Sequence, residues 1–282
     1  MSANVGHPGI KIRDITDLAE MRAVEELQKE IWGVEDREVF PALAMRPITA
    51  VGGILIGAFD ADRLVGFVFG FPGIEQGQAT LHSDMLAVKA EYRSQGLGYQ
   101  LKLAQREHAL NKGISTITWT FDPLQAANAH LNFARLGVVA DRYLVNFYGE
   151  TTSFLHQAGT DRLWLTWLLN TERVKQRVDN NLKRELPSAQ AESLPTVLRL
   201  GRNSSPMLSS KKPEGEKLLI EIPGKVNKLT RDDFELALRW REASRFAFTN
   251  AIDLGYRVEE FYRTDRDGEQ IGVYLLATTH TR

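Results

Sequence analysis

The chain contains no cysteine among its 282 residues. Disulfide bonds, thiolate nucleophiles and cysteine-ligated metal sites are therefore excluded. Long apolar runs are also missing, because the most apolar stretches, Gly52–Phe59 and Leu163–Leu169, are far shorter than the roughly 20 residues of a membrane-spanning helix. Residues 1–13 lack the apolar segment of a signal peptide. From these absences we expect a cytoplasmic protein with no membrane partner.

The sequence also lacks an excess of either charge. It holds 35 Lys and Arg against 36 Asp and Glu, a formal net charge of −1. Such a balance does not call for nucleic acid as a partner, and no basic run interleaved with aromatic residues occurs. Hydrophobic residues make up 43% of the chain, which is typical of globular proteins. The length fits one large domain or two modest domains.

Periodicity predicts the element order β-α-β-β-β-α-β-α-β up to about residue 150. Strands are predicted at 10–13, 53–59, 63–71, 79–88, 114–121 and 138–148, and helices begin at Asp17, Gly98 and Pro123, the last capped by Asp122. The stretch from Glu35 to Thr49 has no clean period and contains Pro41 and Pro47, so we expect a loop. This order predicts an α/β fold in which helices flank a mixed, mostly antiparallel sheet.

The second half of the chain reads differently. We predict a helical connector over 151–185, with its helix at Asp161–Arg177, and then a linker over 186–216 that is rich in Pro and Ser. Residues 217–282 predict a small β-α-β-β unit, whose long helix starts at a capping box of Thr230 and Asp233. Because this unit is small for an independent core, we expect it to pack on the first domain, residues 8–150, or to extend its sheet.

A glycine segment, Arg93-Ser94-Gln95-Gly96-Leu97-Gly98, lies between a predicted strand and a predicted helix. Backbone N–H groups at a helix start have no internal partners, and the helix dipole favours an anion there. Two glycines let phosphate oxygens approach the backbone. A Walker loop would need Lys after Gly98, and a dinucleotide loop would need Gly at Leu101, so both fail. The alternative is a helix start whose glycines serve only the turn.

The pattern Arg-x-x-Gly-x-Gly after an aliphatic strand resembles the acyl-CoA motif of the GNAT superfamily of N-acyltransferases. The segment from Asn128 to Val138 is similar to the helix that follows in that family, which usually ends Tyr-x-x-Leu-Gly-Phe. The resemblance covers residues 8–150. Asp122-Pro123-Leu124 and Asn146-Phe147-Tyr148-Gly149 are similar to segments of a longer, uncharacterised GNAT branch with a C-terminal extension.

The resemblance implies that acetyl-CoA, or another acyl-CoA such as succinyl-CoA, is the co-substrate and that no metal takes part. The strand ending at Val88 would splay from the strand Ile114–Phe121, and its free backbone groups would bind the pantetheine arm, with the Val88 N–H facing the thioester oxygen. Asn128 and Asn132 alternatively lie on a solvated helix surface. The implied cofactor-binding residues are Leu86, Ala87, Val88, Arg93, Ser94, Gln95, Gly96, Leu97, Gly98, Tyr99, Asn128, Asn132 and Phe133.

Two candidate catalytic residues, His82 and Asp84, lie two positions apart on one predicted strand and so project from one face. An amine attacks a thioester only when neutral, and a histidine with the ordinary pKa of about 6.5 suits a general base. His82 also stands where the histone-acetylating branch of the family places its glutamate base. The alternative interpretations are a hydrogen-bonded sheet histidine and a solvated or paired aspartate at a strand end.

One departure from the family concerns the general acid. Phe133 replaces the usual tyrosine. Tyr99, Tyr143 and Tyr148 are the candidate substitutes, and a thiol with a pKa of about 8.5 can also leave as the thiolate without much assistance. The leading hypothesis is an N-acyltransferase that acts on a small-molecule amine or amino acid. One alternative is a succinyl-CoA-dependent amino-acid N-acyltransferase, with Arg46, Arg93, Arg135 or Arg142 at the acyl tip. The other is a non-catalytic acyl-CoA-binding protein. For residues 217–282 three roles are open: they cap the acceptor site, complete the sheet or form a homodimer contact.

Overall fold

The computed structural model describes residues 9–149, 153, 157–179, 186 and 193–278. Their contacts divide into two units. The N-terminal unit contains the described residues up to Trp119 together with Ser153, and the C-terminal unit contains the rest, from Thr120 onward. The predicted domain 8–150 spans parts of both units. Of the helices in these described ranges, none has the length and apolarity needed to cross a bilayer.

The N-terminal unit is built on a sheet with strand order β1-β2-β3-β4-β5. The strands are β1 Ile10–Asp14, β2 Ile54–Asp60, β3 Arg63–Glu75, β4 Gln78–Val88 and β5 Thr116–Phe121, the last of which continues into the C-terminal unit. Neighbours from β1 to β4 are antiparallel, whereas β4 and β5 run parallel. The predicted strands and the mixed, mostly antiparallel sheet are confirmed.

Three helices accompany this sheet: α1 Leu18–Trp32, α2 Ala42–Ala50 and α3 Leu97–Asn111. The helix predicted from Asp17 is confirmed as α1, and the Asp17 carboxylate caps it by accepting from the Ala19 N–H at 2.6 Å. The loop predicted from Glu35 to Thr49 is wrong for its second half, which is α2. The Glu25 carboxylate of α1 accepts from the first N–H of α2, and Met45 is fully buried. These tertiary contacts stabilise a helix that contains Pro47.

The C-terminal unit carries seven further strands in the order β7-β6-β11-β12-β10-β8-β9. All neighbouring pairs are antiparallel except β8 and β10. The elements are α4 Ala126–Ala129, a π-helix His130–Leu136, β6 Val139–Leu144, β7 Arg162–Leu168, α5 Glu172–Val178, β8 Thr196–Leu200, β9 Pro206–Leu208, β10 Lys217–Pro223, α6 Val226–Asp232, α7 Phe234–Asp253, β11 Tyr256–Arg266 and β12 Glu269–Thr278.

Three predictions fail in this unit. The helical connector is wrong where β7 pairs with β6, since Leu163, Leu165 and Trp167 alternate into the core. The linker contains β8 and β9 in its described part. The helix predicted from Pro123 begins only at Ala126, because the Asp122 carboxylate accepts from the Leu124 N–H in a turn.

The β-α-β-β order of residues 217–282 is confirmed over its described part, with the helix divided into α6 and α7. The predicted capping box is wrong. Thr230 lies inside α6, where its hydroxyl donates to the Val226 carbonyl at 3.0 Å. Asp233 is itself the cap of α7, and its carboxylate accepts from the Leu236 N–H at 2.9 Å.

Candidate functional site

The glycine segment joins the end of β4 to the start of α3. Residues 93–96 are exposed, and Gly96 has a left-handed backbone with φ of +81°. The Arg93 Nε donates to the Val88 carbonyl at 2.9 Å, which holds this cation beside the end of β4. Within the described ranges, no carbonyl accepts a hydrogen bond from the N–H groups of residues 94–98. The segment therefore presents unpartnered donors and a fixed positive charge to an anion.

The two glycines have different structural causes. Gly96 is required by its positive φ, although a Cβ there would meet nothing within 4 Å. Gly98 lies in the helical first turn of α3, and the nearest atom to a Cβ at this position would be Leu86 Cδ2 at 3.8 Å. Neither backbone nor packing therefore calls for glycine at 98, and glycine in a helix costs about 0.5–1 kcal/mol relative to alanine. Close approach of a ligand to the backbone would account for it.

Strands β4 and β5 part inside the N-terminal unit. They pair at Leu81 with Ile117 and at His82 with Thr118, and no later pair follows among the described residues of this unit. β4 continues to Val88 with its other edge paired to β3. The β4 edge from Ser83 to Val88 is therefore open to a ligand with amide groups, and we call it the open edge.

A β-bulge interrupts β4 where the open edge begins. His82 lies opposite Phe71, yet Met85 lies opposite Phe69, so three steps along β4 match two steps along β3. The extra residue falls at Ser83–Asp84. Bulges disturb the alternation of side chains and redirect them. The regular alternation from which His82 and Asp84 were predicted to share a face is therefore absent here.

His82 lies at the last pair before the open edge. Its Nδ1 is 3.1 Å from the Thr118 Oγ1, and its ring centroid is 5.3 Å from that of Phe71. Burial, with a smaller contribution from the nearby Lys102 charge, lowers the pKa of His82 to about 4, against a weak opposing effect of Glu75. The ordinary pKa on which the general-base hypothesis rested is therefore wrong for this residue. His82 is neutral at pH 7 and a weak base.

The pKa of Asp84 shifts in the opposite direction to that of His82. Burial raises the pKa of its carboxyl group above the ordinary value. A carboxylate whose pKa is raised by burial is a stronger base than an ordinary aspartate. Of the two predicted catalytic residues, Asp84 is the better matched to proton abstraction.

Lys102 is a polar residue of this region that the sequence analysis missed. It lies on α3 with only 2% of its surface exposed. Its Nζ donates to the Ser83 Oγ at 2.7 Å and to the Gln105 Oε1 at 3.2 Å, and lies 3.8 Å from the centroid of the Trp119 ring. Burial lowers the pKa of Lys102 well below its usual value. It lies three positions before Gln105 and seven before Ala109, which are buried on the same helix, and this spacing was the signal in the sequence.

Several of the predicted residues lie in the C-terminal unit, whereas Tyr99 lies on α3 in the N-terminal unit. Asn128 is exposed on α4, whereas Asn132 and Phe133 are buried in the π-helix. The Phe133 ring has no exposure and packs edge-on against Tyr274, with centroids 5.7 Å apart. Tyr143 donates to the Asp161 carboxylate at 2.8 Å, and burial raises its pKa, so it holds its proton firmly. The Tyr148 hydroxyl lies 3.1 Å from the Thr120 Oγ1.

Comparison with known proteins finds one family model that matches part of the N-terminal half of the chain. The model described as the acetyltransferase (GNAT) family matches residues 20–137. No curated protein matches the chain. Similar solved structures include the ribosomal-protein-S18-alanine N-acetyltransferase from Escherichia coli (14% identity, 57% of this chain and 95% of that chain, TM-score 0.46), NAA60 from Arabidopsis thaliana with a bisubstrate analogue (14%, 57% and 99%, 0.46) and Ard1 from Thermoplasma volcanium (15%, 56% and 96%, 0.42). The assignment of the domain rests on the family match.

Proposed function

We propose that the protein is an N-acyltransferase, and the match of the acetyltransferase (GNAT) family model to residues 20–137 supports this. It moves an acyl group, acetyl in the first instance, from acyl-CoA to a primary amine of a small molecule or amino acid. The observation that carries the proposal is the presence, in one unit, of unpartnered N–H groups at residues 94–98 and an open edge on the preceding strand. We take residues 8–150 as the acyl-CoA-binding domain.

The glycine segment and the open edge fit two parts of acyl-CoA, the pyrophosphate and the pantetheine arm. The N–H groups of residues 94–98, the positive end of the α3 dipole and Arg93 would hold the pyrophosphate. The open edge, including Leu86, Ala87 and Val88, offers backbone groups to the amides of the pantetheine arm. From Val88 to Ser83 this edge is about 16 Å long at the usual rise per strand residue. Acyl-CoA supplies the activated acyl group as a thioester.

A side chain of the protein would accept the proton that the attacking amine loses. The amine nitrogen attacks the thioester carbon, the carbon–sulfur bond breaks, and the amine loses one proton. Asp84 would accept this proton because burial raises its pKa towards neutrality. An α-amine, with a pKa of about 7.7–8.0, is neutral more often at pH 7 than a lysine side chain, with about 10.4. Because Asp84 is the one base proposed here, the site favours an acceptor that is often neutral already, an α-amine rather than a lysine side chain.

No tyrosine acid is needed at Phe133. A thiol with a pKa of about 8.5 leaves as the thiolate without much assistance. Phe133 is buried in the core of the C-terminal unit against Tyr274, and Tyr143 holds its proton through Asp161. The proposal therefore routes no proton through either residue.

Gly98 offers the cleanest test of the binding site. Acetyl-CoA, succinyl-CoA and free CoA are titrated by calorimetry into the wild type, Gly98→Ala and Gly98→Glu. The wild type is expected to bind at micromolar levels, about −8 kcal/mol, Gly98→Ala more weakly, and Gly98→Glu not at all. Both variants should fold, because Leu86 Cδ2 at 3.8 Å is the nearest atom to the new Cβ. The tighter acyl form identifies the donor.

A charge control separates the site from general electrostatics. Lys112→Glu alters the net charge by two units at the far, exposed end of the same helix, and it should leave CoA binding unchanged. If Gly98→Glu binds CoA with the affinity of the wild type, the CoA site does not lie at the glycine segment. Binding without turnover on any amine in a panel of amino acids and amines would leave only the non-catalytic alternative.

A further inference from the structure

We propose that Lys102 is a self-acylation site, where the chain accepts an acyl group from its own bound acyl-CoA when no acceptor amine is present. This inference rests on the proposed function, since the donor is acyl-CoA lying along the open edge. It assigns a modification site to a side chain that the proposed reaction does not use.

The position of Lys102 supports this assignment. Its Nζ bonds to Ser83 on β4 and lies over the ring of Trp119 on β5. These two residues are the first on each strand after the last β4–β5 pair, His82 with Thr118. The amine therefore lies at the end of the open edge farther from the glycine segment. Pantetheine running from a pyrophosphate at that segment would carry its thioester towards Lys102.

The surroundings of the amine favour a nucleophile. Lys102 is 2% exposed, and its contacts in the described part of the chain are a hydroxyl, an amide oxygen and an indole ring, with no carboxylate within ion-pairing distance. A buried ammonium without a counter-ion loses its proton readily, which agrees with the lowered pKa of this group. Lysines activated by desolvation are established nucleophiles.

The chemistry balances without any further reagent. The neutral Nζ attacks the thioester carbon, a carbon–nitrogen bond forms and the carbon–sulfur bond breaks. One amine proton passes to the departing sulfur, so the products are an amide on Lys102 and free CoA. No oxidation or reduction occurs. The acylated nitrogen is uncharged and retains one N–H, so its interaction with the Trp119 ring as a cation is lost.

Two other lysines of the same unit serve as internal controls. Lys89 is also buried, at 8% exposure, but its Nζ is 2.6 Å from the Glu30 carboxylate. Lys89 thus has the carboxylate partner that Lys102 lacks within the described part of the chain. Lys112 follows the end of α3 and is exposed, so it reports the uncatalysed reaction with acyl-CoA in solution.

The test is peptide mapping by mass spectrometry of the full-length wild type after incubation with isotope-labelled acetyl-CoA and no amine. We expect at most one labelled acetyl group per chain, located on Lys102, with a rate that saturates over the concentration range in which calorimetry detects binding. Lys102→Arg should abolish the label. Gly98→Glu, which keeps Lys102, should reduce labelling at Lys102 to the level at Lys112.

The outcomes are distinguishable. If acetyl-CoA binds but Lys102 remains unlabelled, or is labelled no faster than Lys112, the self-acylation proposal is wrong and the proposed function stands. Labelling that rises linearly with acetyl-CoA and persists in Gly98→Glu is solution chemistry and also overturns it. If calorimetry detects no binding, both proposals fail together.

Discussion

Arg241 and Asp122 are joined by two parallel hydrogen bonds of 2.8 Å, although 119 positions separate them in the chain. Their side chains are 6% and 11% exposed. Burial alone would raise the pKa of Asp122, and the Arg241 guanidinium outweighs this effect and lowers it. The pair fixes α7 to the turn that follows β5, within the C-terminal unit.

Removing one partner of this pair should be costly. Arg241→Met leaves a buried carboxylate without its cation, so we expect the free energy of unfolding to fall by about 3–5 kcal/mol. Urea denaturation measures it. Arg63→Met is the matched control, because the Arg63–Glu91 pair is exposed, at 59% and 52%, and its loss should cost at most about 1 kcal/mol. Equal losses in the two variants would show that burial adds nothing to the pair.

The two glycines of the acyl-CoA motif should respond to alanine in opposite directions. Gly96→Ala places a side chain at a φ of +81° and should destabilise the protein by about 1–2 kcal/mol. Gly98→Ala replaces glycine in an unstrained helical turn and should stabilise it by about 0.5–1 kcal/mol. Thermal unfolding without CoA measures both. A loss of stability in Gly98→Ala would mean that the backbone, not a ligand, requires that glycine.

The pH dependence of turnover should identify the base. The rate, measured from pH 5 to 8, is expected to rise with pH, because burial shifts the loss of the Asp84 proton above the pH range of an ordinary aspartate. Asp84→Asn should lower kcat by roughly 100-fold or more, while deprotonation of the acceptor amine still gives some rise of the rate with pH. His82, with a pKa of about 4, is neutral over this range, so His82→Gln should keep the wild-type pH profile. A kcat of Asp84→Asn equal to that of the wild type would exclude Asp84 as the base.

Lys102→Met should show a pH-dependent gain in stability. Folding depresses the pKa of Lys102, so near neutral pH the unfolded chain holds a proton that the folded chain binds less well. This opposes folding by about 1.4 kcal/mol for each unit of depression. Methionine removes the penalty, and the loss of hydrogen bonds to Ser83 and Gln105 offsets part of the gain.

The sign of the trend is fixed. The wild-type penalty shrinks as pH rises towards the ordinary lysine pKa of about 10.4, so the stability of Lys102→Met relative to wild type should decline from pH 7 to pH 10. Chemical denaturation at several pH values measures this difference. Lys112→Met, at an exposed position, should differ from wild type by less than about 0.5 kcal/mol at every pH. A flat difference for Lys102→Met would contradict the pKa shift.

Local signals predicted much of the fold. The start of α1 at Asp17 and the alternating strands of the N-terminal unit depend on residues that are close together in the sequence. The elements that were missed depend on distant partners. α2 needs the Glu25 carboxylate at its start, and β7 needs β6 beside it. Trp164, Trp167 and Leu168 fit a helical spacing as well as a strand, and only strand pairing decides between them.

In the candidate site, too, local features could be predicted from the sequence, whereas features that depend on distant residues could not. The glycines at 96 and 98 could be found because a turn and a helix start are local features. The bulge at Ser83–Asp84 could not, since it exists only in the register of β4 against β3. The low pKa of His82 likewise follows from burial rather than from residue type. Lys102 was overlooked because a lysine on a helix is assumed to face water.

The contacts of the last strands bear on how such a gene can change. The family match ends at residue 137, yet Tyr274 donates to the Pro123 carbonyl at 2.6 Å and Val258 pairs with Ala140. A stop codon after residue 150 would remove these partners together with Arg241. Recombination that exchanged only the first half of the gene would likewise separate Pro123 and Ala140 from the residues that contact them. The last strands and the segment from Pro123 to Ala140 are therefore expected to be inherited as one piece.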